Sequence, residues 1–192
     1  PPQKQGYSFA PSPPGDSKRG FVFHSAEGYS QGILSVLNNP NTQGAWQFSI
    51  LKDGLVWQHY PINANCWHAG DADDDGGVRA NIDLVGVEVE GVAGEPWTEE
   101  QIVEAVKLYR WAQAEHGFPA PVLRVSLWEH RWVSDVPTAC PSGRNPWDEL
   151  IQRINTVPVD PTLIYIQQLQ RATKALLYGH ADDPAIQTII SE

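Results

Sequence analysis

Short apolar runs separated by turn signals dominate the chain between residues 20 and 155. The first run ends on a polar residue, His24, which is the pattern of a buried strand that delivers a side chain at its C-terminal end. Two of the runs are joined through Asp53-Gly54, a pair typical of the tight turn of a β-hairpin. The predicted strands are 20–24, 45–51, 55–60, 84–90 and 122–127.

Helical periodicity occurs in three segments, 30–37, 98–117 and 146–154. The central one carries the most local information. Thr98 and Gln101 stand in the relation of a capping box, with Thr98 as N-cap and Gln101 as the third helical residue. Gly117 suits the left-handed position that follows a helix, so both ends of this helix are predicted.

Strands that alternate with helices indicate the α/β class, and the pattern predicts a single mixed β-sheet flanked by helices. Residues 1–20 are rich in Pro, Gly and Ser and are interpreted as a Pro-rich arm or linker. The folded domain is expected at 21–155. Residues 156–192 follow a Pro-containing stretch and are interpreted as a linker and helical extension.

Composition narrows the classes of function. Of the 192 residues, 41% are hydrophobic and 19% are charged, which is typical of a globular protein with a core. No apolar run is long enough for a membrane span, and the first residues lack the apolar segment of a signal peptide. A net charge of −10 argues against nucleic acid or an anionic membrane surface as the main partner.

Three distant residues are candidates for metal binding. His24 ends the first strand, His130 follows the last one, and Cys140 lies ten residues further on. Two imidazoles and a thiolate suit tetrahedral Zn²⁺ with one position left for water. The residues alone leave other interpretations open, namely ordinary structural histidines, a buried thiol, or a disulfide between Cys140 and Cys66.

Six short motifs, in this order, resemble the type-2 N-acetylmuramoyl-L-alanine amidases, a group that includes phage lysins, bacterial wall-recycling amidases and animal peptidoglycan recognition proteins. The resemblance runs from about residue 21 to residue 154. The motifs are Val22-Phe23-His24-Ser25, the hairpin turn Lys52-Asp53-Gly54, Cys66-Trp67-His68-Ala69-Gly70, Val85-Gly86-Val87-Glu88, Glu129-His130-Arg131 and Thr138-Ala139-Cys140-Pro141.

The resemblance implies that His24, His130 and Cys140 are the ligands of one Zn²⁺ ion. It argues against a Cys66–Cys140 disulfide, since a bridged sulfur cannot bind metal as a thiolate. Thr138 matches a position held by Lys or Thr and is expected to donate to the developing oxyanion.

The general base is less directly implied. Many relatives place a Tyr on the first hairpin strand, but this chain has Trp46, whose indole N–H can donate a hydrogen bond and cannot act as a base. The recycling amidases use a Glu that matches Glu88. Glu88 is therefore the predicted base, or alternatively a carboxylate that orients a ligand histidine, and Glu129 and Glu90 are weaker candidates.

Substrate contacts are expected from Trp46 and from the loop that carries Trp67 and His68, because the matching loop borders the substrate groove in the family. His68 is expected to contact the substrate or to orient a neighbouring residue, and a hydrogen bond that only fixes the loop is the alternative. The expected substrate is bacterial peptidoglycan, cut between N-acetylmuramic acid and L-alanine.

The expected setting is a phage endolysin, made in the host cytoplasm and released at lysis to act on the cell wall as a monomer. The alternatives are a bacterial autolysin, a non-catalytic peptidoglycan-binding module of the same fold, and an unrelated interaction domain.

Overall fold

The computed structural model of the protein describes residues 7–8, 18–69 and 77–156. The predicted extension beyond residue 156 and most of the predicted arm lie outside these residues. The strands are β1 (Tyr7–Ser8), β2 (Gly20–Ser25), β3 (Phe48–Ile50), β4 (Val56–Gln58), β5 (Asn65–Cys66), β6 (Leu84–Val89) and β7 (Leu127–Glu129). The helices are α1 (Ser30–Asn38), α2 (Ala80–Asp83), α3 (Glu99–His116), α4 (His130–Val133) and α5 (Trp147–Thr156).

Five of the strands form one mixed sheet in the order β4-β3-β6-β2-β7. β3, β6, β2 and β7 are mutually parallel, whereas β4 returns antiparallel to β3 through the hairpin turn. β1 and β5 pair separately as a two-stranded sheet. The predicted fold class, a single mixed sheet flanked by helices, is confirmed.

The two faces of the sheet are covered by different helices. On one face, Phe21 and Phe23 of β2 pack with residues of α3 and α5 in the largest apolar cluster. On the other face, Val22 of β2 packs with Trp128 and with Val133 of α4. Because side chains alternate along a strand, His24 shares the face of Val22 and points away from α3.

The predicted ends of α3 are confirmed. The Gln101 backbone N–H donates to the Thr98 hydroxyl at 3.2 Å, and the Thr98 backbone N–H donates to the Gln101 side-chain oxygen at 3.0 Å. Gly117 follows the helix with φ of 67°, in the left-handed region. The local sequence therefore sets both boundaries of this helix.

The predicted strand at 122–127 is wrong, because β7 begins only at Leu127. The Val122 carbonyl accepts backbone N–H groups from three following residues, Val125, Ser126 and Leu127, which closes a turn. Arg124 has φ of 60°, which an extended strand cannot contain. Val122, Leu123 and Val125 are exposed, and only Leu127 is buried in the sheet.

The other predicted elements are present with small shifts in their bounds. The hairpin strands are shorter than the apolar runs that predicted them. The sequence does not predict α2, α4 or the short strands β1 and β5. Among the described helices, none combines the length and apolar character needed to cross a bilayer.

Candidate metal-binding active site

The parallel strands bring the predicted ligands to one edge of the sheet. His24 lies near the C-terminal end of β2 and pairs in register with Glu88 of β6. His130 comes directly after β7, the neighbour of β2 on its other side. Carboxyl ends of parallel strands meet at the same edge, so residues 106 positions apart become neighbours.

His24, His130 and Cys140 form a group in which the candidate ligand atoms all lie within 4.8 Å of one another. His24 Nδ1 is 3.7 Å from the Cys140 sulfur, and the ring centroids of His24 and His130 are 4.7 Å apart. Both cysteines are free thiols, so the disulfide interpretation of Cys66 and Cys140 does not apply. Two nitrogens and one sulfur at this spacing are a donor set that zinc prefers.

Burial governs the protonation of this group. It lowers the pKa of His24 well below its ordinary value, and the nearby rings of His130 and His68 act in the same direction. Burial also lowers the pKa of His130. Both imidazoles are therefore neutral near pH 7, the form in which a histidine binds a metal.

The Cys140 thiol is shielded in the same pocket. Its pKa is raised to about 12, chiefly by burial and also by the charge of Glu88, while the backbone N–H of Ser25 has the opposite effect. That N–H points at the sulfur at a distance of 3.3 Å. A cation bound beside the sulfur would favour the thiolate, since a coordinating thiol loses its proton.

His68 lies behind His24. Its Nδ1 is 3.1 Å from His24 Nε2, and the two rings are perpendicular. Burial lowers the pKa of His68 to about 3, so its ring is neutral and can accept a hydrogen bond at Nδ1. A proton on His24 Nε2 that is donated to His68 leaves His24 Nδ1 free to face Cys140.

Two residues hold His68 in place. The side-chain oxygen of Asn81 accepts the backbone N–H groups of His68 and Ala69, at 2.9 and 3.0 Å. Gly86 of β6 lies against the imidazole, because a Cβ atom added at Gly86 would be 2.6 Å from His68 Cγ. Only glycine at this point of the strand leaves room for the ring.

Glu88 places a carboxylate beside His24. Its Oε1 lies 3.9 Å from His24 Nδ1, its side chain is only 15% exposed, and its Oε2 is buried without a hydrogen-bond partner among the described residues. The pKa of Glu88 is raised to about 8, chiefly by burial and also by the Glu27 carboxylate, against the opposing effect of Arg144. Such a carboxyl group is poised to exchange a proton near neutral pH.

The two weaker candidates for the base are bonded elsewhere. Glu90 accepts the backbone N–H groups of Ser30 and Lys52, both at 2.7 Å. Glu129 accepts the indole N–H of Trp147 at 2.6 Å and the Arg131 guanidinium. In both residues each carboxylate oxygen is already engaged in holding elements together, which leaves no free oxygen directed at the metal-ligand group.

Trp46, Trp67 and Thr138, the remaining predicted site residues, differ in what they can offer a substrate. The Trp46 indole is 6% exposed and donates its N–H to the Ser49 hydroxyl at 2.8 Å, so it has little surface to offer a ligand. Trp67 is 47% exposed and presents its ring at the surface next to His68. The Thr138 hydroxyl accepts the backbone N–H of Cys140 at 3.2 Å and keeps its own proton available for donation.

Sequence reasoning missed Asn81 and Gly86 as supports of the site. Asn81 belongs to a helix of only four residues that has no periodic pattern to announce it. A glycine inside the apolar run 84–90 was a usable signal, since glycine in a strand interior often marks a close approach of another group.

The chain is similar to known proteins in sequence and in fold. The family model described as N-acetylmuramoyl-L-alanine amidase matches residues 14–143. The N-acetylmuramoyl-L-alanine amidase CwlH of Bacillus subtilis (strain 168) is 42% identical over 48 residues, which cover 25% of this chain and 19% of CwlH. The matched segment is thus less than a fifth of the length of that curated relative.

Two solved structures share the fold. The endolysin N-acetylmuramoyl-L-alanine amidase LysCS from Clostridium intestinale URNW superposes with a TM-score of 0.57 at 23% identity, covering 73% of this chain and 86% of that chain. The catalytic domain of XlyA, a Bacillus subtilis amidase, superposes with a TM-score of 0.54 at 25% identity, covering 72% and 87%. Since the family match spans more than half of the chain, the protein belongs to the N-acetylmuramoyl-L-alanine amidase family.

Proposed function

We propose that the protein is a zinc-dependent N-acetylmuramoyl-L-alanine amidase, which hydrolyses the amide between N-acetylmuramic acid and L-alanine in bacterial peptidoglycan. The observation that carries this proposal is the convergence of His24, His130 and Cys140 within 4.8 Å, beside a buried carboxylate, in a chain of this family. A binding module of the same fold would have no need to keep all three ligands and the carboxylate.

The residues present fit a zinc ion. His24, His130 and Cys140 would hold it, and three protein ligands leave a position open for water or substrate, as catalytic zinc sites do. When bound there, zinc would supply a Lewis acid that polarises the scissile carbonyl and acidifies water.

Glu88 acts as the general base in this proposal. Its carboxylate takes the proton of the attacking water as the new C–O bond forms, and returns that proton to the leaving nitrogen as the C–N bond breaks. Two observations support the role: Oε2 has no hydrogen-bond partner in the part of the chain that the structure describes, and Glu88 pairs in register with His24. Glu90 and Glu129 are bonded to other groups and do not compete for it.

His68 orients His24 in this proposal and does not bind substrate. Metal-binding histidines generally donate their second ring N–H to a neighbour, which sets the tautomer and the ring orientation. The contact of 3.1 Å between His24 Nε2 and His68 Nδ1 supplies such a neighbour.

Thr138 and Trp67 are proposed to contact the substrate. The Thr138 hydroxyl donates to the oxygen on which negative charge develops, more weakly than a charged Lys at that position would. The exposed Trp67 ring offers an apolar face to the sugar or to the stem peptide.

The biological setting is proposed to be a phage endolysin that acts on the wall of a bacterial host. The fold shared with LysCS, which is named as an endolysin, supports this setting. A secreted autolysin would perform the same chemistry on the wall of its own cell.

The test is mass analysis of the fragments released from purified sacculi. The wild-type protein is expected to release free stem peptides with a new N-terminal alanine, and to lose this activity after chelation and regain it with Zn²⁺. Cys140→Ser is expected to release no peptides while keeping its circular dichroism spectrum. Binding of sacculi without peptide release by the zinc-loaded wild type would instead establish a non-catalytic module.

A further inference from the structure

Arg144 is a buried guanidinium at the same edge of the sheet, and the mechanism above gives it no part. Only 6% of the residue is exposed, and all three of its nitrogens donate hydrogen bonds. Nε donates to the Glu95 carbonyl at 2.8 Å, Nη1 to the Ser25 hydroxyl at 2.9 Å and the Val89 carbonyl at 3.1 Å, and Nη2 to the Glu90 carbonyl at 2.8 Å.

These acceptors flank the residues of the site. Ser25 directly follows His24 in β2, and Val89 directly follows Glu88 in β6. Arg144 itself lies four residues after Cys140. One side chain therefore ties the ends of the two strands that carry His24 and Glu88 to the loop that carries the third ligand.

Ser25 is the point at which this tie reaches the sulfur. Its hydroxyl accepts from Arg144 Nη1 at 2.9 Å, and its backbone N–H points at the Cys140 sulfur at 3.3 Å. Ser25 is therefore bonded to both Cys140 and Arg144, the first and last residues of the loop 140–144. A shift of Arg144 would move Ser25, and with it the separation of the Cys140 sulfur from His24 Nδ1.

The loop between Cys140 and Arg144 is short and bonded to itself and to the sheet edge. The Arg144 backbone N–H donates to the Pro141 carbonyl at 3.1 Å, and the Ser142 hydroxyl donates to Glu27 at 2.7 Å. Gly91 reserves the space for the guanidinium, because a Cβ there would lie 2.3 Å from Arg144 Nη2. Displacement of Arg144 would consequently be passed on to Cys140.

The hydrogen bonds of Arg144 indicate that the planar geometry of its guanidinium matters more than an ion pair, because all four acceptors are neutral groups. Within the described residues, its four acceptors are three backbone carbonyls and one hydroxyl, with no carboxylate among them. A planar guanidinium reaches such acceptors in several directions at once. A lysine, with one ammonium group on a flexible stem, cannot reproduce that fork.

We infer that Arg144 is a positioning residue that holds the Cys140 sulfur at ligand distance from the His24 imidazole. This inference rests on the proposed function, because it assigns Arg144 a role toward the metal site. It predicts that loss of the guanidinium fork weakens the contribution of the sulfur to metal binding before it unfolds the domain.

The experiment uses Co²⁺ as the probe, since a thiolate bound to cobalt gives a charge-transfer absorption band that nitrogen ligands alone do not give. Arg144→Lys, Ser25→Ala and the control Arg153→Lys are titrated with Co²⁺ and with Zn²⁺ under competition by a chelator. Arg153 pairs with Glu99 and Glu149 on α3 and α5, away from this loop. Circular dichroism and thermal unfolding report whether each variant is folded.

We expect Arg144→Lys to lose most of the thiolate band and to bind Zn²⁺ about 10- to 100-fold more weakly, as removal of an outer-sphere partner does at other metal sites. Ser25→Ala should show a smaller loss, and Arg153→Lys none. An unchanged band and affinity in folded Arg144→Lys would overturn the inference. If Arg144→Lys does not fold, the result for Ser25→Ala decides. Absence of the band in the wild type would instead overturn the proposed metal site.

Discussion

Two buried glutamates, two residues apart in sequence, lie in regions with opposite characters. Glu90 joins the start of α1 to the hairpin turn and accepts a backbone N–H at each oxygen, both at 2.7 Å. Glu88 lies among the candidate metal ligands, with one oxygen 3.9 Å from His24 Nδ1 and the other without a partner among the described residues.

This difference distinguishes a carboxylate that stabilises the fold from one that is available for proton transfer. A buried carboxylate that accepts two backbone N–H groups has a partner at each oxygen and holds two elements together. A buried carboxylate without such donors has a raised pKa and a lone pair to offer, which is costly for stability and useful for proton transfer. The carboxylate at the site thus has an oxygen with no hydrogen-bond partner among the described residues, whereas both oxygens of Glu90 accept hydrogen bonds.

The largest effect is expected for Glu88→Gln. The amide cannot accept a proton from water, so kcat for peptide release should fall about 10²- to 10⁴-fold, the usual contribution of a general base. Zinc content and the unfolding transition should be retained. Stem-peptide release followed by mass analysis measures the rate, and a kcat equal to that of the wild type would remove Glu88 from the proposed role.

Glu90→Gln is the matched control for Glu88→Gln, because it makes the same change in a carboxylate whose two oxygens both accept hydrogen bonds. Its amide group turns an NH₂ toward one of two backbone donors, so the free energy of unfolding should fall by about 1–3 kcal/mol. Because Glu90 does not face the ligands, kcat of the folded fraction should stay at the wild-type value. Urea denaturation measures the first quantity, and a stability unchanged by the substitution would contradict the structural assignment.

His68→Ala tests whether a buried neutral ring supports the ligand in front of it. Loss of the acceptor for His24 Nε2 should weaken zinc binding about 10- to 100-fold. Chelator competition measures the affinity. The control is His116→Ala, which alters an exposed ring at the end of α3 and should leave the affinity unchanged. Equal affinities for the two variants would show that His68 has no orienting role.

Trp67→Ala should have the smallest effect. Loss of one exposed aromatic face should raise KM about 2- to 10-fold and leave kcat nearly unchanged, in line with the modest energy of a single aromatic contact. The comparison variant is Trp46→Phe. Because the Trp46 ring is buried, this substitution should lower the stability of the fold and leave KM unchanged. A rise in KM for Trp46→Phe alone would reverse the two assignments.

Elements encoded by neighbouring residues were predictable. The capping pair Thr98 and Gln101 and the terminal Gly117 mark α3 because each acts within a few residues of its own position. The segment 122–127 shows the limit of the same reasoning. Its apolar composition suits a strand, but the turn closed on the Val122 carbonyl delays the start of β7 until Leu127.

Residue types and their order therefore specify much of this protein: the buried strands, the best-capped helix, the family motifs and the three candidate ligands. Spatial facts required the folded chain. Alternation along the strand places Glu88 and Glu90 on the same face and cannot separate their roles, because the donors that satisfy Glu90 come from Ser30 and Lys52, 60 and 38 residues away. The contacts of His68 with His24 and of Arg144 with Ser25 likewise span 44 and 119 residues. Whether a buried polar group has a hydrogen-bond partner depends on which distant residues the fold brings next to it. Local sequence patterns do not contain that information.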